Sequence, residues 1–292
     1  MIFVWALAAA LASAVGWVLQ YRGAREEPSA GSLSPALLLR LGRKPVWLGG
    51  IAATALGTGL QAIALQQGRL TQVEPLLVAS LVFALPLGAL LARTPVDRRE
   101  LLGVATLSLG LAVFLVIGAP AGGKAEASAA GWLVGGGSIM LAAAAMTLIG
   151  LRRHGTSRAV ALAMASGFIF GVQDALTKAS LGLVGHGLLA VLASWIPYAA
   201  LATGVYGLLL SQDAYKAGPL AAVLPPLALG EPIAGALVGL VAFGEGLSVQ
   251  GDAVVVEVLA AIAMVVGGVM LARSPLVHGD RDDLDRRCGR QP

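Results

Sequence analysis

The chain has 292 residues, 57% of them hydrophobic and only 12% charged, with a mean hydropathy of +0.83. A charged share about half that of a soluble domain excludes a single water-surrounded core and points to a polytopic membrane protein. The net charge of +4 comes from basic residues scattered over short loops, so no nucleic-acid partner is expected.

Residues 2–20 form the first apolar run. No positive residue precedes it, whereas Arg22 and Arg25 follow, which predicts a retained helix with its N-terminus outside rather than a signal peptide. The break at 21–45 is the longest in the chain, and its SPALLLRLG stretch predicts a short amphipathic helix on the cytoplasmic surface. Further apolar runs lie at about 46–66, 71–92, 100–118, 131–151, 159–183, 187–211, 218–243 and 253–272. Each has roughly the 20 residues a span needs, which predicts nine transmembrane helices.

Charge sets the expected orientation. Seventeen of the 20 Lys and Arg fall on one side of this arrangement, and only Arg69 and Lys124 fall on the other. Positive residues mark the cytoplasmic side, so the C-terminus is expected inside. The tail 274–292 is polar, charge-mixed and expected to be disordered. Its Cys288, the sole cysteine, reads as an incidental thiol.

Two halves resemble each other. Ala10 to Gln20 aligns with Ala163 to Gln173 at an offset of 153, pairing Ser13 with Ser166 and Gln20 with Gln173. The third and eighth spans align at 150, with Pro75 on Pro225, and the fourth and ninth at 157, with Glu100 on Glu257 and Gly110 on Gly267. The expected domains are therefore a first repeat at 1–118, a connecting span at 131–151 and a second repeat at 159–273. Five spans, an odd number, separate equivalent helices, so the four-helix repeats are inverted. Inverted repeats around a midplane site are a common plan for secondary transporters.

The most informative stretch is PPLALGEP, Pro225 to Pro232, in the eighth run. A charge at mid-bilayer costs at least ~3 kcal/mol, so Glu231 needs a role or a partner. Each of Pro225, Pro226 and Pro232 frees the carbonyl four residues back. One acid beside loosened carbonyls is a candidate site at membrane depth. The plainer reading is a kinked structural helix with a protonated Glu231 bonded to a neighbour.

Other polar groups could join it. Asp174 and Lys178 are four apart in the sixth run and can neutralise each other as a conformational lock. Gln173 adds an amide to the path, and Glu74 and Glu257 would shape the outer entrance. With Glu245 and Asp252 they bias that side towards negative charge, which concentrates cations. Trp195, Tyr198 and Tyr206 are the candidate pocket walls. No HExxH, GxSxG or P-loop pattern is present, so neither an enzyme nor a nucleotide-driven pump is expected, and no cofactor.

The blocks ASAVGWVLQYRG, GLQAIALQQGRLTQVEPLLVASLVFALPLGALLA, ASGFIFGVQDALTKASLG and GPLAAVLPPLALGEPIAGALVGLVAFGEG carry a family likeness. The chain resembles the drug/metabolite transporter superfamily of EamA-like proteins over about residues 1–275. The nine-span layout resembles the branch that includes NIPA-type magnesium transporters. Arg69, Gln72 and Glu74 depart from that branch, which usually has small or apolar residues there.

The resemblance implies a secondary transporter in the plasma membrane. One alternative is a magnesium or divalent-cation transporter, with Glu231 and Asp174 as metal ligands. Another is a membrane scaffold without transport. Expected partners are membrane lipid and a small-molecule or cation substrate. Proton or ion coupling and a homodimer stay open.

Overall fold

The apolar runs fold as helices because lipid offers no partner to an unpaired backbone donor or carbonyl. The computed structural model describes residues 2–27, 33–67, 76–77, 79–92, 98–117, 128–244 and 252–272. In chain order they form α1 (Ile2–Arg25), α2 (Pro35–Leu41), α3 (Pro45–Gln67), α4 (Ala79–Ala92), α5 (Arg98–Ile117) and α6 (Gly137–Arg152). Then come α7 (Gly155–Val184), α8 (Leu188–Ala193), α9 (Ile196–Ala217), α10 (Leu220–Ala242) and α11 (Asp252–Ala272). A helical turn at Ala129–Gly131 and a π turn at Trp132–Gly136 lead into α6. Among the described residues there is no strand.

Among the described residues, four helical stretches are long and apolar enough to cross a membrane: Phe3–Arg25, Trp132–Arg152, Gly155–Ser180 and Leu220–Ala242. Ala79–Leu91 and Val255–Leu271 are shorter apolar helices. Large apolar side chains face outwards on most of them, with Leu90 74%, Leu133 78% and Leu141 73% exposed. Water would not tolerate so continuous an apolar exterior, whereas lipid does. The protein is therefore all-helical and membrane-embedded.

One expectation is corrected by local chemistry. The run at 187–211 is not one helix, because Ser194 is extended between α8 and α9. Pro197 sits in the first turn of α9. It lacks an N–H, and its ring collides with the carbonyl four residues back, at Ala193, where α8 stops. At its other end α9 continues past 211 and takes Gln212 and Asp213 into its last turns. The short helix expected in the 21–45 break forms as α2, with Leu37 and Leu41 fully buried against Trp47 and Leu209 and with Leu39 and Arg40 exposed.

The register of close contacts gives helix directions. Gly23 of α1 meets Trp47 of α3, Gly16 meets Gly50, and Gly57 meets Ser13 and Ala9, so the two run antiparallel. α7 and α9 are antiparallel too, since Gln173 packs on Gly204 and the Ser166 hydroxyl donates to the Gly207 carbonyl at 2.8 Å. α7 and α10 run parallel, with Gly167 beside Gly230 and Gly171 beside Gly235. α5 and α11 cross antiparallel through Gly103, Gly110 and Gly267. The main core lies where α1, α4, α7, α9 and α10 meet, around Val18, Leu85, Leu162, Leu210 and Leu224.

The tail 274–292, Glu74, Glu245 and the start of the third run lie outside the described residues.

Candidate functional site

The candidate site is built on α10, which begins after Pro219 in extended conformation and continues to Ala242. Pro225, Pro226 and Pro232 do not break it. Its neighbours hold it instead: Val223 and Leu224 are at most 1% exposed, Ala222 is buried, and Leu220 packs on Gly88 of α4. By their positions the three prolines remove the donors that would meet the carbonyls of Ala221, Ala222 and Ala228.

α7 lies against this segment with no side chain between. A Cβ at Gly167 would run into the Leu227 carbonyl oxygen, and one at Gly171 into the Glu231 carbonyl oxygen and the Ala234 Cβ. Gly230 completes the contact, its Cβ position lying 3.2 Å from the Gly167 Cα. The Gly167–Gly171 spacing therefore acts as a packing face. The Gly235–Gly239 pair contributes less, since a Cβ at Gly235 would reach only the Gly171 carbonyl, at 3.9 Å. Glu231 sits in this crossing, half-buried.

The other expected site residues spread outward from there. Gln173 is half-buried over Gly204 of α9. Asp174 and Lys178 lie on the exposed part of α7, and like Glu231 neither is without an interacting partner. The Lys178 ammonium stands 4.9 Å from the Phe243 ring centroid. Phe243 packs edge-on against Trp132 at 5.7 Å, and Trp132 against Trp195 at 6.1 Å. Lys178 thus belongs to an aromatic cluster that its spacing from Asp174 did not reveal. Glu257 is half-buried on α11, and Glu100, which aligns with it, is 1% exposed.

The candidate pocket walls divide. Trp195 and Tyr198 are 56% and 57% exposed, and the Tyr198 hydroxyl donates to the Leu192 carbonyl at 3.0 Å. Tyr206 alone packs on the core. Among the described residues no three His, Cys, Asp or Glu side chains gather as a metal site.

A second polar centre joins α1, α3 and α9. The Trp47 indole donates to Gln212 Oε1 at 3.0 Å. Gln212 Nε2 donates to Gln20 Oε1 at 3.2 Å, and Gln20 Nε2 to the Thr54 hydroxyl at 3.0 Å. Thr54 in turn donates to the Gly50 carbonyl. Gln212 is fully buried and Gln20 is 5% exposed. Beside them, Asp213 accepts from the Leu33 N–H at 2.7 Å and faces Arg158 Nη2 at 3.5 Å. Glu27 pairs with Lys44 at 3.0 Å and Arg40 at 3.7 Å. The hydrogen bond from Lys44 holds the Glu27 carboxyl below its ordinary pKa. Sequence reasoning paired Gln20 with Gln173 in the repeat but did not single out Trp47 or Gln212. The one available signal was the polar pair Gln212–Asp213 closing an otherwise apolar run.

An all-helical membrane-embedded bundle, with an acid and three prolines at a glycine-packed crossing, is the class these features define. The chain is 30% identical over 275 residues to an uncharacterised protein of Corynebacterium glutamicum, covering 93% of this chain and 94% of that one. It belongs to the same family as that protein. No family model matches the chain, and no solved structure matches it.

Proposed function

We propose that the chain is a secondary transporter of the drug/metabolite transporter type, moving a small solute or ion by alternating access. It has nine spans in two inverted four-helix repeats, and lies in the plasma membrane with its N-terminus outside. Glu231 is the central ligand or proton carrier, with Asp174, Lys178 and Gln173 next along the path and Glu74 and Glu257 at the outer entrance.

The observation that carries this reading is the crossing of α5 and α11. At the offset of 157, Gly103 matches Ala260, Leu107 matches Met264 and Gly110 matches Gly267. A Cβ at Gly110 would meet the Ala260 carbonyl at 2.8 Å and the Met264 nitrogen at 3.0 Å. A Cβ at Gly267 would meet the Gly103 carbonyl at 2.7 Å and the Leu107 nitrogen at 2.5 Å. These are the same two contacts with the halves exchanged, made by antiparallel helices, as a two-fold axis in the membrane plane requires. Packing elsewhere agrees: α1 rests on α3 and α4 as α7 rests on α9 and α10. Two halves of that kind can exchange conformations about a central site.

The test is flux into proteoliposomes, magnesium first and then a panel of small metabolites, with and without a pH gradient. The native protein is expected to move one of these solutes. Glu231→Gln is expected to lose that flux while keeping its melting temperature. Equal flux in the variant would remove Glu231 from the path, and no flux of any solute through folded protein would count against transport.

A further inference from the structure

We infer that the segment Leu33–Trp47 is a gate across one face of the molecule, latched to the second half by Asp213. The inference rests on the alternating-access reading and adds the part that must move.

The segment joins α1 to α3, yet its interactions reach the opposite half. The Leu33 N–H donates to Asp213 of α9, whose carboxylate is 3% exposed and also faces Arg158 at the start of α7. Leu37 and Leu41 on α2 close over Leu209 of α9, and the Trp47 indole donates to the buried Gln212. Gln212 passes the connection back to Gln20 of α1. The later part of the segment is tied to Glu27, just past α1, through Lys44 and Arg40. The contacts to Asp213, Leu209 and Gln212 close the boundary between α1–α3 and α7–α9 on the face that the charge pattern assigns to the cytoplasm.

The backbone shows where the segment is under tension. Leu33 has φ 54°, and it is the one non-glycine residue with positive φ among those described. A branched side chain rarely adopts that conformation, and it persists only where the surroundings impose it. Here the imposing group is Asp213. Once that carboxylate stops accepting, Leu33 regains an ordinary conformation and the segment lifts. Beneath it lie the apolar contacts of Leu37 and Leu41 with Leu209 and the single indole bond of Trp47, a small set that suits a part that opens locally. An inverted-repeat transporter in this state is shut on this face, and release at Asp213 admits water to the interface beneath α2.

The test reads water access in full-length protein in membrane vesicles, with Cys288→Ser as background. Leu37→Cys, on the buried side of α2, reports opening through its rate of labelling by a membrane-impermeant maleimide. Ala143→Cys, in the core away from the segment, reports general loosening. Asp213→Asn weakens the acceptor, and a hydrogen bond to a charged group is worth roughly tenfold in an opening equilibrium. Labelling at Leu37→Cys is expected to rise by about that factor while Ala143→Cys stays protected. Leu33→Gly keeps the N–H and removes the strain, so it is expected to label no faster than the parent. Unchanged labelling with Asp213→Asn, or an equal rise at both cysteines, overturns the gate. The flux assay judges transport separately: flux that persists with an unresponsive Leu37→Cys sinks the gate alone.

Discussion

The α7–α10 crossing and the Gln212 centre solve one problem in opposite ways. Lipid gives helices no hydrophobic reason to associate, so cohesion must come from close packing or from polar contacts. At α7–α10 the helices approach because side chains are absent: Gly167, Gly171 and Gly230 let one backbone rest on the other beside Glu231. At Gln212 they are joined by side chains, with Trp47, Gln212, Gln20 and Thr54 donating in one direction across three helices. The first contact is steric and tolerates no added atom. The second is directional, and its parts can be exchanged at moderate cost. The lesson is that the crossing beside the candidate ligand is the more rigid, while the end that carries the Leu33–Trp47 segment is held by bonds that can be released.

Substitutions can break or sharpen that contrast. The largest effect is expected for Gly171→Leu, whose side chain has only the Glu231 carbonyl and Ala234 to occupy. Overpacking of this kind costs about 1–3 kcal/mol where neighbours can shift, and more against a backbone. Loss of a monodisperse peak in gel filtration is the expected readout, and a native-like melting curve would refute the steric account. Next is Gln212→Leu, which leaves the Trp47 indole and a Gln20 oxygen unpaired. Hydrogen bonds between membrane helices average about 0.6 kcal/mol and reach about 1.7, so a modest fall in melting temperature is expected, with the fold retained.

Smaller still is the effect of Glu27. Its folded carboxyl titrates below the ordinary value of 4.5 because Lys44 donates to it. A depressed carboxylate stabilises above its unfolded pKa and loses that contribution as pH falls through the folded value. The native protein should therefore lose stability more steeply below pH 4.5 than Glu27→Gln does, measured as melting temperature against pH. The smallest effect belongs to Gly59→Ala, where an added Cβ meets nothing within 4 Å. Unchanged or slightly raised stability there would establish that glycine as such is not the requirement at Gly171.

The helices were legible in the sequence because their cause is local. Twenty apolar residues in lipid have few alternatives to a helix, and α1, α3, α5, α7, α10 and α11 lie over the runs that predicted them. The split at Ser194 was legible too, had Pro197 been weighed, since a proline acts on the carbonyl four residues back. Glu231 stood out by its cost in an apolar run, and the structure places it at a helix crossing. Spacing alone suggested Asp174 as a partner for Lys178, but it gave no sign that the ammonium also stands over Phe243, which is 65 residues further along.

Composition, charge asymmetry and hydrophobic run length thus determined by themselves that this is an all-helical membrane protein, because these properties are set by solvent and backbone. They also marked Glu231 and the prolines around it. Only the tertiary structure decided that Gly167 and Gly171 face α10 and that Trp47, Gln20 and Gln212 meet. It alone decided that Leu33 donates to Asp213 across 180 residues of chain. The physical reason is that spacing along one helix fixes which residues share a face, whereas the partner across the gap depends on how helices distant in the chain cross.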